Sequence, residues 1–354
     1  MPRPRNRAPA RYYALVVPGL ERIASVELEA AGATVLETLS RFDRRDSIIV
    51  FAAGDPGRAL RCGTLEDVCR LLVDAPVPPG VGAPRALARR LDAPVFSPAA
   101  LEHHALRPHR HGRSYKVVTR LAGRQAFRRE DLSAALARAL GRLLPRWSHV
   151  SGAAALELWV HVVGDRMLAG LRLSGDELAA RAYKRAHLPA SLKPSVARAL
   201  AILSGPGPGD VVLDPMCGAG TILRERAAAA RSRRILGGDN DAVAIAASRR
   251  NAGRQPALAL WDAGHLPLRA ASVDAVVTNP PYGRQLPAAA GLQRLYGGFM
   301  GECARVLRPG GRCVVLTGEP EVLTRAAPAA LRMRERHSLV LRGLSVVAFV
   351  FDRV

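Results

Sequence analysis

The chain has few cysteines, and they form no pattern. There are five in 354 residues, an odd number without a C-x-x-C pair: Cys62, Cys69, Cys217, Cys303 and Cys313. This excludes the disulfide framework of a small secreted domain and a cysteine-rich zinc site. A histidine cluster at residues 103–111 matches no usual ligand spacing, and Pro108 and Gly112 predict that it is a loop. We therefore expect reduced thiols, a cytoplasmic protein and no metal.

Long apolar runs are also lacking. No run approaches the ~20 residues needed to span a bilayer, so we expect no membrane association. Residues 1–11 (MPRPRNRAPAR) are basic but have no apolar h-region, which excludes a secretory signal. An arginine-rich start without acids is also typical of an organelle transit peptide. The prolines at positions 2, 4 and 9, however, disfavour the amphipathic helix that such a peptide forms. We expect a short disordered basic arm.

Lysine, aromatic residues and acids are all scarce. Lys and Arg total 52 against 30 acids, which gives a net charge of +22, yet only three of the basic residues are lysines. A chain that is generally rich in Arg, Ala and Pro would have arginine in place of lysine. Such a composition explains less well why there are so few acids. The charge favours a polyanionic partner, because each phosphate contact releases counterions. Nucleic acid is the preferred interpretation, and a solvated basic surface is the alternative.

The first half of the chain predicts two small α+β units. The first has the order β-α-β-β-α, typical of a ferredoxin-like unit, with strands at 12–17, 34–39 and 47–52 and helices at 20–31 and 55–72. Residues 75–84 (APVPPGVGAP) are a linker candidate. The second unit has a strand at 114–121, a helix at 130–144, and a hairpin of 155–163 and 167–173 around Gly164 and Asp165.

From residue 194 onward, strands and helices alternate. The strands are predicted at 211–214, 234–239, 258–262, 273–279 and 311–318, with helices at 221–230, 241–252 and 292–307. This alternation predicts an α/β fold with a doubly wound, mostly parallel sheet. The last residues predict two further strands joined at Gly343, with an antiparallel terminal strand.

The run DPMCGAGT, from Asp214 to Thr221, follows the first of these strands. Asp214 closes the strand, and Gly218 and Gly220 lie in the turn before the next helix, where the backbone can approach a ligand closely. Ligands of doubly wound sheets bind at the carboxyl ends of the strands. The run therefore predicts a cofactor site.

Two more acids close the following strands. Asp239 ends the second strand, roughly 20 residues on, where an acid accepts hydrogen bonds from ribose hydroxyls. Asp262 ends the third and, with Ala263, is placed to meet an adenine edge. A dinucleotide fingerprint is the main alternative, but it needs a third glycine where this chain has Leu223. An acid at Asp214 would repel a pyrophosphate, and it suits a cationic cofactor such as S-adenosylmethionine.

The run NPPYG, from Asn279 to Gly283, follows the fourth strand. Its prolines fix the backbone and leave carbonyls beside the Asn279 side chain. Asn279 Oδ1 and the Pro280 carbonyl can accept the N–H groups of a planar amine and orient its lone pair toward a methyl sulfonium. Tyr282 can stack on the base once it leaves its helix. A proline-rich turn without function is the alternative.

These residues resemble a known family. Residues from about 180 to 354 are similar to class I S-adenosylmethionine-dependent methyltransferases. Together, Lys193-Pro194, the glycine run with Glu225, GGDND and TNPPYG resemble the THUMP-containing RNA guanine-N2 methyltransferases. The strand SYKVVTRL, the basic turn at 127–129 and the hairpin are similar to a THUMP domain. The resemblance implies a ferredoxin-like domain at 1–78, a THUMP domain at 79–176 and a methyltransferase domain at 177–354.

The resemblance also implies a reaction: methyl transfer to the exocyclic N2 of a guanine in tRNA, at position 6 of the acceptor stem. THUMP domains bind tRNA by its 3′ end, and a monomer is expected. The implied cofactor residues are Asp214, Gly218, Gly220, Thr221, Asp239, Asp262 and Ala263. The implied catalytic residues are Asn279, Pro280 and Tyr282. The chain departs from the family in its first half, which is arginine-rich and poor in aromatic residues.

Basic residues concentrate around one predicted strand and turn of the THUMP-like unit. We predict an RNA-backbone surface there, formed by Lys116, Arg120, Arg124, Arg128 and Arg129. Other acceptors remain open: an rRNA guanine, an adenine N6 in DNA, or a protein glutamine. A binding-only RNA protein and a nicotinamide oxidoreductase are alternatives from other classes. Against the oxidoreductase, the chain lacks the third glycine, and its last half lacks an evident His or Lys pair that could handle a hydride.

Overall fold

The computed structural model describes residues 10–40, 46–107, 112–189, 191–282, 289–341 and 343–354. The predicted basic arm before residue 10, part of the histidine cluster and Gly283 lie outside these residues. The chain forms two compact units. The first contains residues up to 178 except 17–24, and the second contains residues 17–24 and 179–354.

The first unit is α+β. Its strands are β1 (Ala10–Val16), β2 (Thr34–Leu39), β3 (Ser47–Ala53), β4 (Leu65–Pro76), β5 (Ser114–Ala122), β6 (Ser148–His149), β7 (Leu156–Val163) and β8 (Arg166–Arg172). Its helices are the larger part of α1 (Glu21–Ala30), α2 (Pro56–Ala59), α3 (Ala83–Ala88), α4 (Ala93–Leu106), α5 (Arg129–Leu143) and the first half of α6 (Glu177–Ala180). The predicted hairpin is confirmed, since β7 and β8 pair antiparallel and Val163 lies opposite Arg166 next to the turn.

One sheet runs through this unit, in the order β2-β3-β1-β4-β8-β7-β5-β6. On one face, helices α3, α4 and α5 bury Leu87, Phe96 and Leu136 against strands β4, β5, β7 and β8. The predicted domain boundary at residues 78–79 falls in the loop between β4 and α3, and it remains a prediction. The sheet itself continues across that position, because β4 pairs with both β1 and β8.

The predicted helix at 55–72 is wrong. The chain forms only the short helix α2 and then turns into the central strand β4. The Glu27 carboxylate holds this turn, because it accepts hydrogen bonds from the backbone N–H groups of Gly63 and Thr64 at 3.0 and 2.8 Å. A central strand gains backbone hydrogen bonds from two neighbours, and these tertiary pairings override a local helical pattern.

The interpretation of the histidine cluster as a loop is also wrong in part. His103 and His104 lie in helix α4. The N-cap of this helix is Asp92, whose side chain accepts a hydrogen bond from the Val95 N–H at 3.1 Å. Pro94 stands in the first turn, where its missing N–H removes no helical bond. The sequence signal for this helix was therefore its N-cap.

The second unit is α/β. Its strands are β9 (Val211–Asp214), β10 (Arg234–Asp239), β11 (Ala257–Leu260), β12 (Val273–Thr278), β13 (Leu307–Thr317), β14 (Leu331–Leu341) and β15 (Leu344–Arg353). Its helices are α7 (Pro194–Leu203), α8 (Thr221–Ala229), α9 (Ala242–Ala252), α10 (Ala289–Val306) and α11 (Pro320–Ala326). Strands and helices alternate as predicted through β13.

The sheet order β11-β10-β9-β12-β13-β15-β14 confirms the doubly wound class. Strands β9 to β13 are parallel, and β14 and β15 are antiparallel. Helix α10 buries Tyr296 and Phe299 on one face, and α7 buries Val196 and Leu200 on the other. The strand order reverses between β9 and β12, and the crevice outside such a switch point is where ligands bind.

No described helix is both long enough and apolar enough to cross a membrane.

Two glycines of the second unit predict opposite effects on stability. A Cβ at Gly238 would lie 1.9 Å from the Trp261 ring, whereas a Cβ at Gly297 in α10 would meet nothing within 4 Å. We expect Gly238→Ala to destabilise the unit by about 1–3 kcal/mol, because a packed ring must move. Gly297→Ala should instead stabilise by about 0.5–1 kcal/mol, because glycine weakens a helix. Calorimetric melting temperatures check both, and equal shifts would contradict the packing argument.

Candidate active site at the switch point

The switch point brings two strand ends together. Asp214 ends β9 and Thr278 ends the neighbouring parallel strand β12, immediately before Asn279. Thr278 Oγ1 donates a hydrogen bond to Asp214 Oδ1 at 2.9 Å. The predicted cofactor run and the predicted acceptor run therefore share one edge of the sheet and one hydrogen bond.

Asp214 is a buried carboxyl group with an incomplete set of partners. The residue is 1% exposed, and Oδ1 also accepts a hydrogen bond from the Met216 N–H at 3.3 Å. Its other oxygen, Oδ2, is buried and has no hydrogen-bond partner among the described residues. Burial raises the pKa of Asp214 to about 7, opposed by the hydrogen bond from Thr278. A buried acceptor without a donor indicates a place where a cationic ligand group can bind.

The glycine turn requires glycine for two reasons. Gly218 and Gly220 have φ of +48° and +74°, a region that other residues avoid. A Cβ at Gly220 would lie 2.4 Å from Ser248 Oγ, so this position also needs the space. A Cβ at Gly218 would meet nothing within 4 Å, which leaves open space beside the turn. Thr221, predicted as a cofactor contact, begins α8 and is 4% exposed.

Asp239 holds the glycine turn. Its Oδ2 accepts a hydrogen bond from the Gly218 N–H at 2.9 Å, and its Oδ1 accepts one from the Asp241 N–H at 3.1 Å. In addition, the Cys217 N–H donates to the Gly238 carbonyl at 2.8 Å. The end of β10 therefore fixes the turn after β9. The predicted contact of Asp239 with ribose hydroxyls remains a prediction.

Asp262 does not close its strand as predicted, since β11 ends at Leu260. The side chain is 65% exposed and accepts hydrogen bonds from the Gly264 N–H and from His265, which lower the pKa of Asp262. Ala263 is 5% exposed. The adenine contact predicted for this pair remains a prediction.

The acceptor run has an internal hydrogen bond that the sequence did not reveal. The Tyr282 hydroxyl donates a hydrogen bond to Asn279 Oδ1 at 2.6 Å. Pro280, which follows Asn279, is buried. A carbonyl oxygen has two lone pairs, so Asn279 Oδ1 can still accept one N–H from a substrate amine. In this arrangement the Asn279 amide presents its oxygen to the tyrosine.

A segment before α7 is bound to the cofactor turn. The Asn251 side chain accepts hydrogen bonds from the backbone N–H groups of Arg185 and Ala186, and it donates to the carbonyls of Ala186 and Ala219 at 2.8 and 2.9 Å. Nearby, Glu225 accepts from Arg181 and from the Tyr183 hydroxyl. Sequence reasoning missed Asn251, because an isolated asparagine near a helix end gives no signal of its partners.

The predicted RNA-binding residues differ in their surroundings. Lys116 pairs with Glu157 at 3.0 Å, and Arg120 pairs with Asp46 and lies 5.2 Å from the centre of the Trp159 ring. Arg129 and Glu130 form an exposed ion pair at 2.9 Å. For the exposed Arg124 and Arg128, no described carboxylate lies within ion-pair distance. The set is therefore not a uniform basic surface.

Residues 181–344 match UPF0020, a family described as an RMKL-like methyltransferase domain. This segment contains Asp214, the glycine turn and the acceptor run. The segment is therefore similar to an RMKL-like methyltransferase domain.

Two curated relatives of this chain carry names. The chain is 33% identical over 210 residues to a tRNA (guanine(6)-N2)-methyltransferase of Thermus thermophilus, which covers 56% of this chain and 61% of that protein. It is 30% identical over 189 residues to the bovine tRNA (guanine(6)-N(2))-methyltransferase THUMP3, covering 48% and 37%. The chain thus spans less than two thirds of these curated relatives.

Among solved structures, the crystal structure of TrmN from Thermus thermophilus matches 97% of this chain and 99% of its own chain. The TM-score is 0.80 and the sequence identity is 26%. This match supports the mixed α/β fold over nearly the whole chain.

The site fits S-adenosylmethionine on three observations. Asp214 offers a buried, unpaired carboxylate oxygen to a cationic ligand. The backbone beside Gly218 leaves open space at the end of β9. Asp239 ends the next strand, β10, and Asp262 follows two residues after the end of β11. A pyrophosphate would instead have faced the Asp214 charge.

The buried charge of Asp214 predicts a pH dependence. Because the folded state binds this proton more tightly than the unfolded state, the carboxyl group favours folding at low pH. That contribution falls as the pH rises from about 4 to 7, by up to about 4 kcal/mol. We expect Asp214→Asn to raise the melting temperature of the ligand-free protein above pH 7, measured by calorimetry from pH 5 to 9.

The same substitution should weaken S-adenosylmethionine binding by about 10- to 100-fold, the range for losing a charged hydrogen-bond partner. Wild-type affinity should fall below pH 7, as Asp214 becomes neutral, and the Asn variant should lose that dependence. Asp262→Asn is the control for stability, since its side chain is exposed. A melting temperature of Asp214→Asn that follows the wild type at every pH would contradict the assignment.

Proposed function

We propose that the chain transfers a methyl group from S-adenosylmethionine to the exocyclic N2 of a guanine in tRNA. The observation that carries the proposal is the hydrogen bond from Thr278 to Asp214, which joins the acceptor run to the cofactor acid. A methyl donor held at Asp214 and an amine held at Asn279 would lie on neighbouring strand ends. Such proximity supplies much of the rate of a group transfer.

The acceptor residues address one chemical difficulty. An amine conjugated to a heteroaromatic ring is a poor nucleophile, because its lone pair is delocalised. Asn279 Oδ1 and the Pro280 carbonyl accept its N–H groups, orient the lone pair and stabilise the positive charge that develops on nitrogen. The Tyr282 ring stacks on the base and its hydroxyl fixes the Asn279 amide. When bound, S-adenosylmethionine supplies the electrophilic methyl group on a sulfonium.

The cofactor residues have separate roles in this proposal. Asp214 binds the cationic part of the cofactor, Asp239 accepts the ribose hydroxyls while it holds the turn, and Asp262 with Ala263 borders the adenine. Gly218 and Gly220 let the backbone approach, and Thr221 begins the helix behind them. Each of these assignments can be tested by substitution and calorimetry.

The RNA substrate is supported by names and by charge. Both curated relatives are named tRNA (guanine(6)-N2)-methyltransferases, and this chain carries a net charge of +22. We extend the proposal to position 6 of the acceptor stem, a THUMP domain at 79–176 after a ferredoxin-like domain at 1–78, and a methyltransferase domain from 177. A monomer that needs no metal and works in the cytoplasm completes the proposal; all five cysteines are buried and free of disulfides.

Within the proposed RNA surface, Arg124 and Arg128 are the strongest candidates for phosphate contacts. Lys116 and Arg120 already pair with Glu157 and Asp46, so binding RNA would require them to share or leave those partners. Arg129 is exposed and its pair with Glu130 is weak in water. Substituting Arg124 or Arg128 by alanine should therefore make the slope of log K for RNA binding against log salt concentration shallower by about 0.7–0.9 per residue.

Asn279→Ala should abolish methyl transfer and leave RNA and cofactor binding intact. The loss should be at least about 100-fold, the scale of removing one group that stabilises developing charge. Transfer is measured as N2-methylguanosine in tRNA by nucleoside mass spectrometry, and binding by filter retention. Gln255→Ala, an exposed amide of the same unit, is the matched control. Normal transfer by Asn279→Ala would contradict the proposed chemistry.

Recognition of the 3′ end predicts a second result. Removing the 3′ CCA from purified tRNA should lower methyl transfer by roughly tenfold or more, because a terminal contact fixes the distance to the target base. Transfer to intact and truncated tRNA is compared at equal concentration. Undiminished transfer to the truncated tRNA would count against THUMP-directed recognition, while leaving the methyl-transfer chemistry standing.

A further inference from the structure

Tyr296 carries a hydroxyl group into the core of the methyltransferase unit. The residue is 0% exposed, and its ring packs edge-on against Phe299, with ring centres 5.4 Å apart. Helix α10 buries an apolar face here, and a phenylalanine would serve that packing equally well. A buried hydroxyl is costly unless it is hydrogen-bonded, so its partners indicate its purpose.

Both partners of this hydroxyl lie at the carboxyl edge of the sheet. The Tyr296 oxygen is 3.2 Å from the Pro281 carbonyl oxygen and 2.8 Å from Thr317 Oγ1. Thr317 ends β13, is 0% exposed, and its Oγ1 accepts a hydrogen bond from the Glu319 N–H at 2.9 Å. A chain of hydrogen bonds thus connects the end of β13 with the acceptor run.

One direction of this chain satisfies every polar group in it. A carbonyl can only accept, so the Tyr296 O–H donates to Pro281. The Tyr296 oxygen then accepts from the Thr317 hydroxyl, whose own oxygen accepts from Glu319. Burial raises the pKa of Tyr296 to about 12, so the hydroxyl keeps its proton at neutral pH. Every group in the chain has a partner, and each has one orientation.

The run that receives this chain has little freedom left. The rings of Pro280 and Pro281 fix φ at both residues. The peptide planes that carry the two proline carbonyls are then related mainly by ψ of Pro281. Holding the Pro281 carbonyl restrains that angle, and with it the direction of the neighbouring Pro280 carbonyl, one of the two proposed acceptors.

The end of β13 also touches the run at a second point. A Cβ at Gly318 would lie 3.0 Å from the Tyr282 ring, so the backbone at Gly318 packs closely against that side chain. Thr317 and Gly318 are consecutive, and one acts through Tyr296 while the other supports Tyr282. The strand end therefore constrains both the carbonyl side and the aromatic side of the acceptor run.

We propose that Tyr296 and Thr317 are positioning residues that set the orientation of the Pro280 and Pro281 carbonyls for methyl transfer. This inference rests on the proposed function. The Tyr296 hydroxyl contacts the Pro281 carbonyl and Thr317, and it acts through the backbone of the acceptor run. Its loss should therefore change the rate of the chemical step and leave binding unchanged.

Tyr296→Phe removes the hydroxyl and keeps the ring. We expect kcat for methyl transfer to fall by about 10- to 100-fold, the scale of a small misplacement of a reacting group. KM for tRNA and the affinity for S-adenosylmethionine should stay within about twofold. Thr317→Val should lower kcat in the same direction, and the double variant should be no slower than Tyr296→Phe, because both break one chain.

Phe299→Leu is the control for packing alone: it should lower the melting temperature and leave kcat near the wild-type value. Amide hydrogen exchange at Tyr282 gives a readout that needs no activity, and it should be faster in Tyr296→Phe than in Phe299→Leu. An unchanged kcat in folded Tyr296→Phe, a loss carried by KM, or multiplying effects in the double variant would each overturn the inference. If wild-type protein methylates no tRNA, the proposed function fails, and the exchange result alone decides whether Tyr296 positions the run.

Discussion

The candidate site depends on one carboxylate, which is buried at the carboxyl edge of the sheet between two parallel strands. Asp214 stands at the reversal of strand order, with one oxygen held by Thr278 and the other without a partner among the described residues. Burying a charge this way destabilises the ligand-free protein, and burial accordingly raises the pKa of Asp214 to about 7. The neighbouring turn, strand and acceptor run are arranged so that a cationic ligand can relieve that strain.

The surrounding elements hold the backbone more than they present side chains. Asp239 fixes the glycine turn through the Gly218 N–H, and Asn251 binds the Ala219 carbonyl of the same turn. On the acceptor side, Tyr282 holds the Asn279 amide and Tyr296 holds the Pro281 carbonyl. Backbone carbonyls and N–H groups thus form much of the site, and side chains from distant segments orient them. This explains how a weakly nucleophilic amine could be served without a dedicated base.

The charged residues of the two units are arranged differently. The second unit concentrates acids at the ends of its strands, while the predicted RNA residues of the first unit stand among internal ion pairs of the sheet. Lys116, Arg120 and Arg172 each contact a carboxylate, and Arg120 and Arg172 also lie over the Trp159 ring. Part of the net charge of +22 therefore serves the fold. Among the residues of the proposed RNA surface, the exposed Arg124 and Arg128 are left without a carboxylate partner in the described part of the chain.

The sequence by itself determined the α/β alternation of the second unit, the strand-end positions of Asp214 and Asp239, and the acceptor run after β12, because these depend on local periodicity and on contiguous residues. It could not determine strand β4, whose helical pattern yields to pairing with β1 and β8, nor the end of β11 before Asp262. Tertiary structure alone decided the bond between Thr278 and Asp214, 64 residues apart, and the roles of Asn251 and Tyr296. The physical reason is that a hydrogen bond across a sheet depends on which strands become neighbours, and no local pattern of residues encodes that order.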